Sequence, residues 1–195
     1  MLLRKRTVKA SDATSTASPF TLQGQFAMTI IVRPEKKSDR EIIWELTKLA
    51  FSGKPYAGGN EQDLIDNLRE LNVLSASLVA VDGSEVVGQI TFSPASISSG
   101  EGNWYALGPI SVLPHRQSEG IGGLLIEAGM KVIEHMGAWG CILTGNPDYY
   151  SRHGFTLANV HCPDNEAEEY FMLRLSGVNK PVGKFAFHDA FYTGA

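Results

Sequence analysis

Residues 107–155 read LGPISVLPHRQSEGIGGLLIEAGMKVIEHMGAWGCILTGNPDYYSRHGF, which predicts a strand, a glycine-rich turn, a helix, a second strand and a short helix. The first strand contains the pair Gly108-Pro109, and a proline within a strand favours a bulge or a sheet edge because it donates no ladder hydrogen bond. Apolar residues then recur at helical spacing, and Gly137 is a typical helix stop. The predicted buried stripe of this helix is Ile121, Leu124, Leu125, Ala128, Val132 and Met136.

The turn from Gln117 to Gly123 delivers the chain into that helix. The first N–H groups of a helix lack intrahelical partners, and the helix dipole adds partial positive charge there, so the position attracts phosphate. Glycines at 120 and 122 let the backbone approach an anion without a Cβ in the way. The alternative is a strand-to-helix turn whose small residues serve close packing, and the glycines alone favour neither interpretation.

Two common phosphate-binding motifs do not fit this turn. A dinucleotide fingerprint needs a third glycine where Leu125 stands, and no acidic residue ends the following strand CILTG. A P-loop needs Gly-Lys-Ser or Gly-Lys-Thr, which the turn lacks. A nucleotide-binding regulator is therefore disfavoured.

The turn instead resembles the acyl-CoA loop of the GNAT superfamily of N-acetyltransferases, whose signature is Gln/Arg-x-x-Gly-x-Gly/Ala. Gln117, Gly120 and Gly122 match it. Tyr150, four residues before Gly154-Phe155, resembles the family's Tyr-x-x-x-Gly-Phe element. The sequence Asn-Pro-Asp-Tyr-Tyr-Ser-Arg-His-Gly-Phe is closest to that of the branch of predicted acetyltransferases called YhbS-like. The resemblance covers about residues 28–175.

The resemblance implies an α/β fold, the acyl-CoA N-acyltransferase fold. Its central sheet is mixed, mostly antiparallel and twisted, with splayed fourth and fifth strands and flanking helices. Here the splayed strands would be 107–112 and 140–145. The order of predicted elements along the chain, β-α-α-β-β-β-α-β-α-β, agrees with this fold.

The resemblance also implies acetyl-CoA as cosubstrate, with its pantetheine arm between the splayed strands and its pyrophosphate on the turn. The implied cofactor-binding residues are Ile110, Ser111, Val112, Gln117, Ser118, Glu119, Gly120, Ile121, Gly122, Gly123 and Asn146. A backbone N–H near Val112 would polarise the thioester carbonyl. Glu119 would lie beside phosphates, so it must point outward or be neutralised, with Arg116 as the candidate partner.

Tyr150 is implied as the general acid, because a phenol with a pKa near 10 is protonated at neutral pH and can protonate the departing thiolate. Its neighbour Tyr149 is expected only to pack. The general base stays open among Glu61, His115 and His153. We find no metal-ligand spacing and no nucleophile elbow, so direct transfer without a metal or a covalent enzyme intermediate is expected.

The acceptor implied by the resemblance is a primary amine, either a small molecule or a protein or peptide. Phe51, Tyr56 and Trp104 are candidates for lining its pocket, and an acidic body favours a cationic amine. A different class remains open: a non-catalytic acyl-CoA-binding module that acts as a sensor or interaction partner. Such a copy would be expected to lose Tyr150 or the glycines, which this chain retains.

Composition is that of an ordinary globular protein, with 43% hydrophobic and 19% charged residues in 195. A net charge of −4 gives no general attraction to nucleic acid. Cys141 and Cys162 fall in no metal or redox spacing, and Cys141 is expected in the core. These cysteines fit the reduced thiols of a cytoplasmic protein, and a monomer or homodimer is expected. No apolar run is long enough for a membrane span.

Residues 1–27 differ from the rest, carrying four basic residues against one acidic residue and a Ser/Thr-rich stretch. We expect a flexible extension, with a transit peptide as the alternative. Residues 28–195 are the expected GNAT domain, made of a core over about 28–175 and a tail over 176–195.

The remaining elements of the domain follow from local patterns. A capping box at Ser38–Glu41 and a stripe of apolar residues predict a first helix, and Asn60 is expected to cap a second. Asp82-Gly83 predicts a hairpin, 94–103 a polar loop, and 170–175 a strand. The stripes of the two helices are Ile42, Ile43, Leu46, Leu49 and Ala50, and then Leu64, Ile65, Leu68 and Leu71.

Overall fold

The computed structural model describes residues 30–55 and 57–192, and over these residues eight strands form one open, mixed sheet. The strand order across the sheet is β1-β2-β3-β4-β5-β7-β6, and β8 pairs with the end of β3. The strands are β1 Ile30–Pro34, β2 Ala76–Asp82, β3 Glu85–Ile97, β4 Trp104–Val112, β5 Gly140–Thr144, β6 Thr156–Leu157, β7 Phe171–Leu175 and β8 Phe185–Ala186.

Neighbouring strands are antiparallel except β4 and β5, which run parallel. The predicted mixed, mostly antiparallel sheet is therefore confirmed. The predicted extension over 1–27, the domain start at Met28 and the pocket residue Tyr56 lie outside the described residues.

Four α-helices cover the two faces of the sheet in this part of the chain. They are α1 Arg40–Phe51, α2 Glu61–Glu70, α3 Ile121–His135 and α4 Pro147–Tyr150. Short 3-10 turns occur at Lys37–Asp39, Pro114–Arg116, Ser151–His153, Asn159–His161 and Asp189–Phe191. The helices α3 and α4 pack on one face, while α1 and α2 pack on the opposite face with Val79 and Val86. None of the helices described is long and apolar enough to cross a membrane.

The helix α3 seats on the sheet through Ile121, Leu125, Ile126, Met130 and Ile133, all at most 1% exposed. The predicted stripe was wrong in part: Leu124 and Met136 are 49% and 45% exposed. The stripe was drawn from spacing alone, and a helix as apolar as α3 offers two overlapping stripes about 100° apart. Which of them faces the sheet is decided by packing.

The start of α1 is not closed by the predicted Ser38–Glu41 capping box. Asp39 precedes the helix, and its carboxylate accepts the Lys36 N–H at 2.6 Å and pairs with Arg33. Ile42 and Leu49 are exposed, and the buried residues of α1 are Ile43, Leu46, Thr47 and Ala50.

At α2, Asn60 occupies the N-cap position as predicted, but its side chain bonds no helix N–H. Instead the Glu61 carboxylate accepts the N–H groups of Gly58 and Gly59. Ile65 and Leu68 are buried as predicted and Leu71 is exposed.

The hairpin at Asp82-Gly83 is confirmed, since Asp82 pairs with Glu85 across a two-residue turn. The strand predicted at 170–175 is confirmed as β7. The predicted loop 94–103 was wrong in its first part, because β3 continues to Ile97, where β8 pairs with it. That pairing carries the tail's Phe185 and Phe187 into a second core cluster with Trp104 and Phe171.

A part-buried ion pair ties β1, α2 and β2 together. The Glu35 carboxylate accepts hydrogen bonds from Arg69 Nε at 2.9 Å and Nη2 at 2.7 Å. The Ser77 hydroxyl donates to the same carboxylate. Burial opposes ionisation of Glu35, but these hydrogen bonds outweigh it, so the pKa of Glu35 is lowered.

Candidate functional site

The strands β4 and β5 separate part-way along their length. Their parallel pairing covers only Trp104–Ala106 against Gly140–Ile142, while β4 continues to Val112 and β5 to Thr144. The predicted splay is thus confirmed for 107–112, but on β5 it begins at Leu143 because 140–142 remain paired. The result is a V-shaped cleft whose apex lies just beyond Ala106 and Ile142.

A bulge shapes the β4 side of the cleft. Between the pairs Phe92↔Leu107 and Ile90↔Ile110, β4 contributes Gly108 and Pro109, joined by a cis peptide, against the single residue Thr91. Two buried side chains of β3 hold it: the Thr91 hydroxyl donates to the Gly108 carbonyl at 2.7 Å, and Gln89 Nε2 to the Pro109 carbonyl at 3.3 Å. The Gly-Pro pair predicted this bulge, but no sequence signal indicated its supports on β3.

Beyond the bulge, successive residues of β4 face opposite sides of the sheet. Ile110 and Val112 face the α3 side, where they pack against the main core. Ser111 faces α1: its Oγ lies 3.0 Å from Thr47 Oγ1 and accepts from Gln89 Nε2 at 2.9 Å. Only the backbone of Ser111 is therefore available to a ligand in the cleft.

The glycines of the turn differ in their surroundings, which the sequence could not show. Ser118 and Gly120 have φ of +67° and +84°, and a Cβ at Gly120 would meet nothing within 4 Å. A Cβ at Gly122 would instead collide with the Tyr149 hydroxyl, and one at Gly123 would lie 2.8 Å from His153 Cε1. The packing interpretation thus holds at Gly122 and Gly123, while Gly120 leaves open space above the start of α3.

The polar side chains of the turn are held by the fold. Arg116 Nε donates to Glu119 at 2.9 Å and its Nη2 to Asp82 at 3.1 Å, which confirms that Arg116 neutralises Glu119. Gln117 Nε2 donates to the Val112 carbonyl at 3.1 Å, closing the end of β4. Ile121 is 1% exposed, so the turn offers a ligand mainly backbone N–H groups at this position.

Tyr150 lies at the end of β5 on the α3 side of the sheet. Its half-buried ring covers Gly145, the residue after β5, and its centroid is 5.9 Å from that of Phe155. The Tyr149 ring lies edge-on to it at 4.9 Å, and burial raises the pKa of Tyr149. The side-chain oxygen of Asn146 accepts the Asp148 N–H at 2.9 Å and caps α4, so only its amide NH₂ could reach a ligand.

The structure separates the predicted base candidates. His153 lies on the α3 side, against Gly123 and 3.8 Å from Glu127, and His115 is exposed in the turn after β4. Glu61 lies on the α1–α2 side and lines a pocket of about 320 Å³ with residues 51–54, 57–59 and Lys48.

The predicted pocket residues separate in the same way. Phe51 does line this pocket. Trp104 does not, and its assignment was wrong: it is 2% exposed between Trp139 and Phe185, where β8 closes over the start of β4. Cys141 is fully buried and burial raises its pKa, so the predicted core role is confirmed.

A second polar group, missed in the sequence, lies on the face of β5 opposite Tyr150. The Thr144 hydroxyl donates to Glu166 Oε2 at 2.7 Å, and the Tyr192 hydroxyl donates to Oε1 at 3.0 Å. Phe191 lies across the bulge, 3.8 Å from where a Gly108 Cβ would be. In the sequence Glu166 is one of four acidic residues between 164 and 169, and nothing there distinguishes it.

Comparison with known proteins accounts for the cleft and the turn together. A family model described as "Acetyltransferase (GNAT) domain" matches residues 31–158. The chain belongs to the GNAT acetyltransferase family. A protein of Escherichia coli strain K12 named "Uncharacterized N-acetyltransferase YhbS" is 30% identical over 169 residues, which cover 83% of this chain and 98% of YhbS.

Two solved GNAT structures resemble the whole described domain. A GNAT family acetyltransferase from Brucella melitensis in complex with acetyl-CoA is 40% identical, with a TM-score of 0.74 over 84% of this chain and 99% of that one. Escherichia coli YhbS in complex with CoA is 26% identical, with a TM-score of 0.78 over 87% of this chain and 95% of that one. Within residues 30–55 and 57–192 of the present GNAT chain, no group of three or more His, Cys, Asp or Glu side chains could hold a metal ion.

Proposed function

We propose that this GNAT protein transfers the acetyl group of acetyl-CoA directly to a primary amine of a small molecule, peptide or protein. The observation that carries the proposal is the cleft between β4 and β5, with the glycine turn at its open end and Tyr150 beside the end of β5. A cleft with unpaired strand edges accepts an extended chain by backbone hydrogen bonding. The acetyl-CoA and CoA complexes of the two similar structures support the choice of ligand.

The residues of the α3 side fit acetyl-CoA in this order. Backbone N–H groups of residues 117–123 would hold the pyrophosphate at the start of α3, where Gly120 leaves open space. Ile110 and Val112 would border the pantetheine arm, and a backbone N–H of β4 beyond the bulge would donate to the thioester carbonyl. The Asn146 amide NH₂ would reach the arm from the other side of the cleft.

Tyr150 would supply the proton that the departing thiolate needs. Its ring is fixed against Gly145 and Phe155 at the end of β5. A phenol is protonated at neutral pH, so it can donate while the carbon–sulfur bond breaks. The paired Arg116 and Glu119 leave the turn without an opposing free carboxylate.

The test measures acetyl-CoA binding and turnover separately. We expect calorimetry to show acetyl-CoA binding, and thiol release to show turnover with one or more amines from a panel of alkylamines, diamines and peptides. Gly122→Val should weaken acetyl-CoA binding about tenfold, or about 1.4 kcal/mol, by intruding where the turn meets phosphate. Tyr149→Phe, which leaves the turn intact, should bind acetyl-CoA like the parent.

The double variant Gly122→Val/Tyr149→Phe separates packing from phosphate binding. Without the hydroxyl, the nearest Tyr149 atom is 3.5 Å from the residue-122 Cβ, so the collision with this Cβ is removed. Weakened binding that persists in the double variant supports the turn assignment, and full recovery contradicts it. A parent protein that binds acetyl-CoA but acetylates no amine would instead be a non-catalytic acyl-CoA-binding module.

A further inference from the structure

The end of β5, where it borders the cleft, has two faces, which are marked by Thr144 and the following residue Gly145. Gly145 is covered by the Tyr150 ring on the α3 side. Thr144 continues the alternation of Ile142, which belongs to the core cluster on the opposite side, and its hydroxyl bonds Glu166 there. Adjacent Cα atoms are about 3.8 Å apart, so the phenol and the Glu166 carboxylate flank the same strand end from opposite faces.

The helix α1 runs along β4 toward the bulge. Leu113 packs with Ile43 and Leu46, and Thr47, one turn after Ile43, bonds Ser111. Advancing along α1 therefore moves backward along β4, and Phe51, which lines the pocket at the end of α1, lies one further turn along.

The C-terminal tail closes this side of the cleft. Phe191 approaches Gly108 on β4, and the adjacent Tyr192 bonds the carboxylate that Thr144 of β5 holds. The 3-10 turn at Asp189–Phe191 also contacts α2. The tail therefore spans the two separated strands and holds Glu166 beside Thr144 at the end of β5.

Glu166 is fixed but not saturated. Each of its oxygens accepts one hydroxyl, and a carboxylate oxygen can accept two hydrogen bonds, so one position on each remains for a donor. Glu166 is half-buried, and Tyr192 is 41% exposed, so the group is reachable from solvent. The ammonium of Lys184, which comes from the C-terminal tail, is paired with Asp164.

We propose that Glu166 is the catalytic residue on the acceptor side: it binds the substrate ammonium and takes its proton, while Thr144 and Tyr192 position it. This rests on the transferase function proposed above and names the acceptor class as a cationic primary amine. The pocket alone, with Lys48 and Lys54 in its lining, gives no such preference.

The proton balance of the transfer uses both faces. Glu166 takes one proton from R–NH₃⁺, and the resulting amine lone pair forms the nitrogen–carbon bond to the acetyl group as the carbon–sulfur bond breaks. The thiolate takes a proton from Tyr150, and the second proton lost by nitrogen restores the Tyr150 phenol. Glu166 returns its proton to solvent, so the products are amide, CoA thiol and one H⁺.

The experiment uses the full chain with saturating acetyl-CoA and three amine probes: 2-phenylethylamine, 1,5-diaminopentane and a tripeptide with a free N-terminal glycine. Glu166→Gln keeps the shape and removes the base, so kcat/KM for the amine should fall about 100-fold or more. Acetyl-CoA affinity should be unchanged, because Glu166 lies on the other face. Glu168→Gln, an exposed carboxylate in the same segment, should match the parent.

Two further readouts separate a base from a structural carboxylate. In Glu166→Gln the rate should rise about tenfold per pH unit, as free amine accumulates below the ammonium pKa, which is about 10 for the two alkylamines and about 8 for the tripeptide. The parent should show no such rise. Thr144→Val, which removes one positioning hydroxyl, should lose about tenfold in kcat/KM, and Thr144→Ser should restore it.

Three ionisable groups near Glu166 have raised pKa values, so they should not contribute to a pH dependence measured near neutrality. Tyr192 has its pKa raised to about 12 by burial and by Glu166. The Cys162 thiol, bonded to the Glu166 main-chain carbonyl, has a pKa raised by burial and by nearby carboxylates. The Lys184 ammonium beside Asp164 also has a raised pKa.

The outcomes distinguish this inference from the proposed function. Turnover by Glu166→Gln comparable to the parent, with the same pH dependence, would overturn the role of Glu166 and leave the transferase intact. A parent that binds acetyl-CoA and acetylates none of the three probes would overturn the transferase and Glu166 together.

Discussion

At the residue scale, two adjacent tyrosines illustrate how position rather than identity decides chemistry. The Tyr149 hydroxyl points at the glycines of α3, and its ring is 5.2 Å from that of His153. The Tyr150 ring covers Gly145 at the end of β5, beside the cleft. The rise of the Tyr149 pKa through burial makes that phenol a still weaker acid.

Replacing Tyr150 by Phe should remove the proton donor and keep the ring packing against Gly145 and Phe155. We expect kcat with an accepted amine to fall about 10²–10⁴-fold, and acetyl-CoA affinity to stay the same, because the ground-state sulfur is a poor acceptor. Steady-state kinetics and calorimetry measure the two effects. The matched Tyr149→Phe variant should retain kcat, and a Tyr150→Phe enzyme as fast as the parent would remove the assigned role.

The candidate residues on one face of the cleft could be predicted from the sequence, whereas those on the other face could not. Tyr150 and the glycines stand within one continuous segment whose spacing is fixed by local turns and a short helix, so pattern could identify them. Glu166 and Tyr192 are 26 residues apart and meet only because the tail folds back over β5. A contact between residues so far apart in the chain leaves no pattern in the local sequence. Trp104 was misassigned for the same reason, since its burial also depends on residues distant in the chain.

At the element scale, α3 depends on one glycine in its middle. Gly129 is buried, and a Cβ there would fall within the ring of Phe92 on β3. Helix propensity alone would favour alanine at this position by about 1 kcal/mol. The apolar pattern of α3 did not predict which stripe of the helix faces the sheet, because such close contacts cannot be read from the spacing of apolar residues.

Gly129→Ala should therefore destabilise the protein, by about 1–3 kcal/mol of overpacking less the gain in propensity. Urea unfolding monitored by circular dichroism would measure the change. Phe92→Leu removes the ring from that space, so the same glycine substitution should cost less in that background. Equal costs in both backgrounds would show that the ring is not the obstacle.

At the scale of the whole molecule, the Glu35–Arg69 pair joins the first strand to the helical layer. Arg69 also pairs with Asp66 on α2, so it stays partly neutralised if Glu35 is lost. The pKa of Glu35 is lowered in the folded state, so its ionisation adds stability above its unfolded pKa. That contribution disappears as pH falls through the folded pKa.

Glu35→Gln should accordingly cost about 2 kcal/mol of unfolding free energy near pH 7. The difference from the parent should shrink as the pH falls below the ordinary glutamate pKa and through the lowered pKa of folded Glu35, where the parent carboxylate itself becomes protonated. Denaturant titrations at several pH values would test this, with the exposed Glu70→Gln of α2 as the matched control. A pH-independent difference would mean that packing, not charge, is lost.

The tail that spans β4 and β5 has a consequence for how such an enzyme can change. One continuous segment, residues 107–155, builds the face assigned here to the acyl donor, whereas Glu166, Phe191 and Tyr192 come from the last thirty residues of the chain. On the proposed roles, substitutions from Glu166 onward would alter which amine is admitted while the donor-binding half keeps its sequence. Selection for a new acceptor could act on the last few dozen residues alone, and laboratory evolution could randomise that segment first.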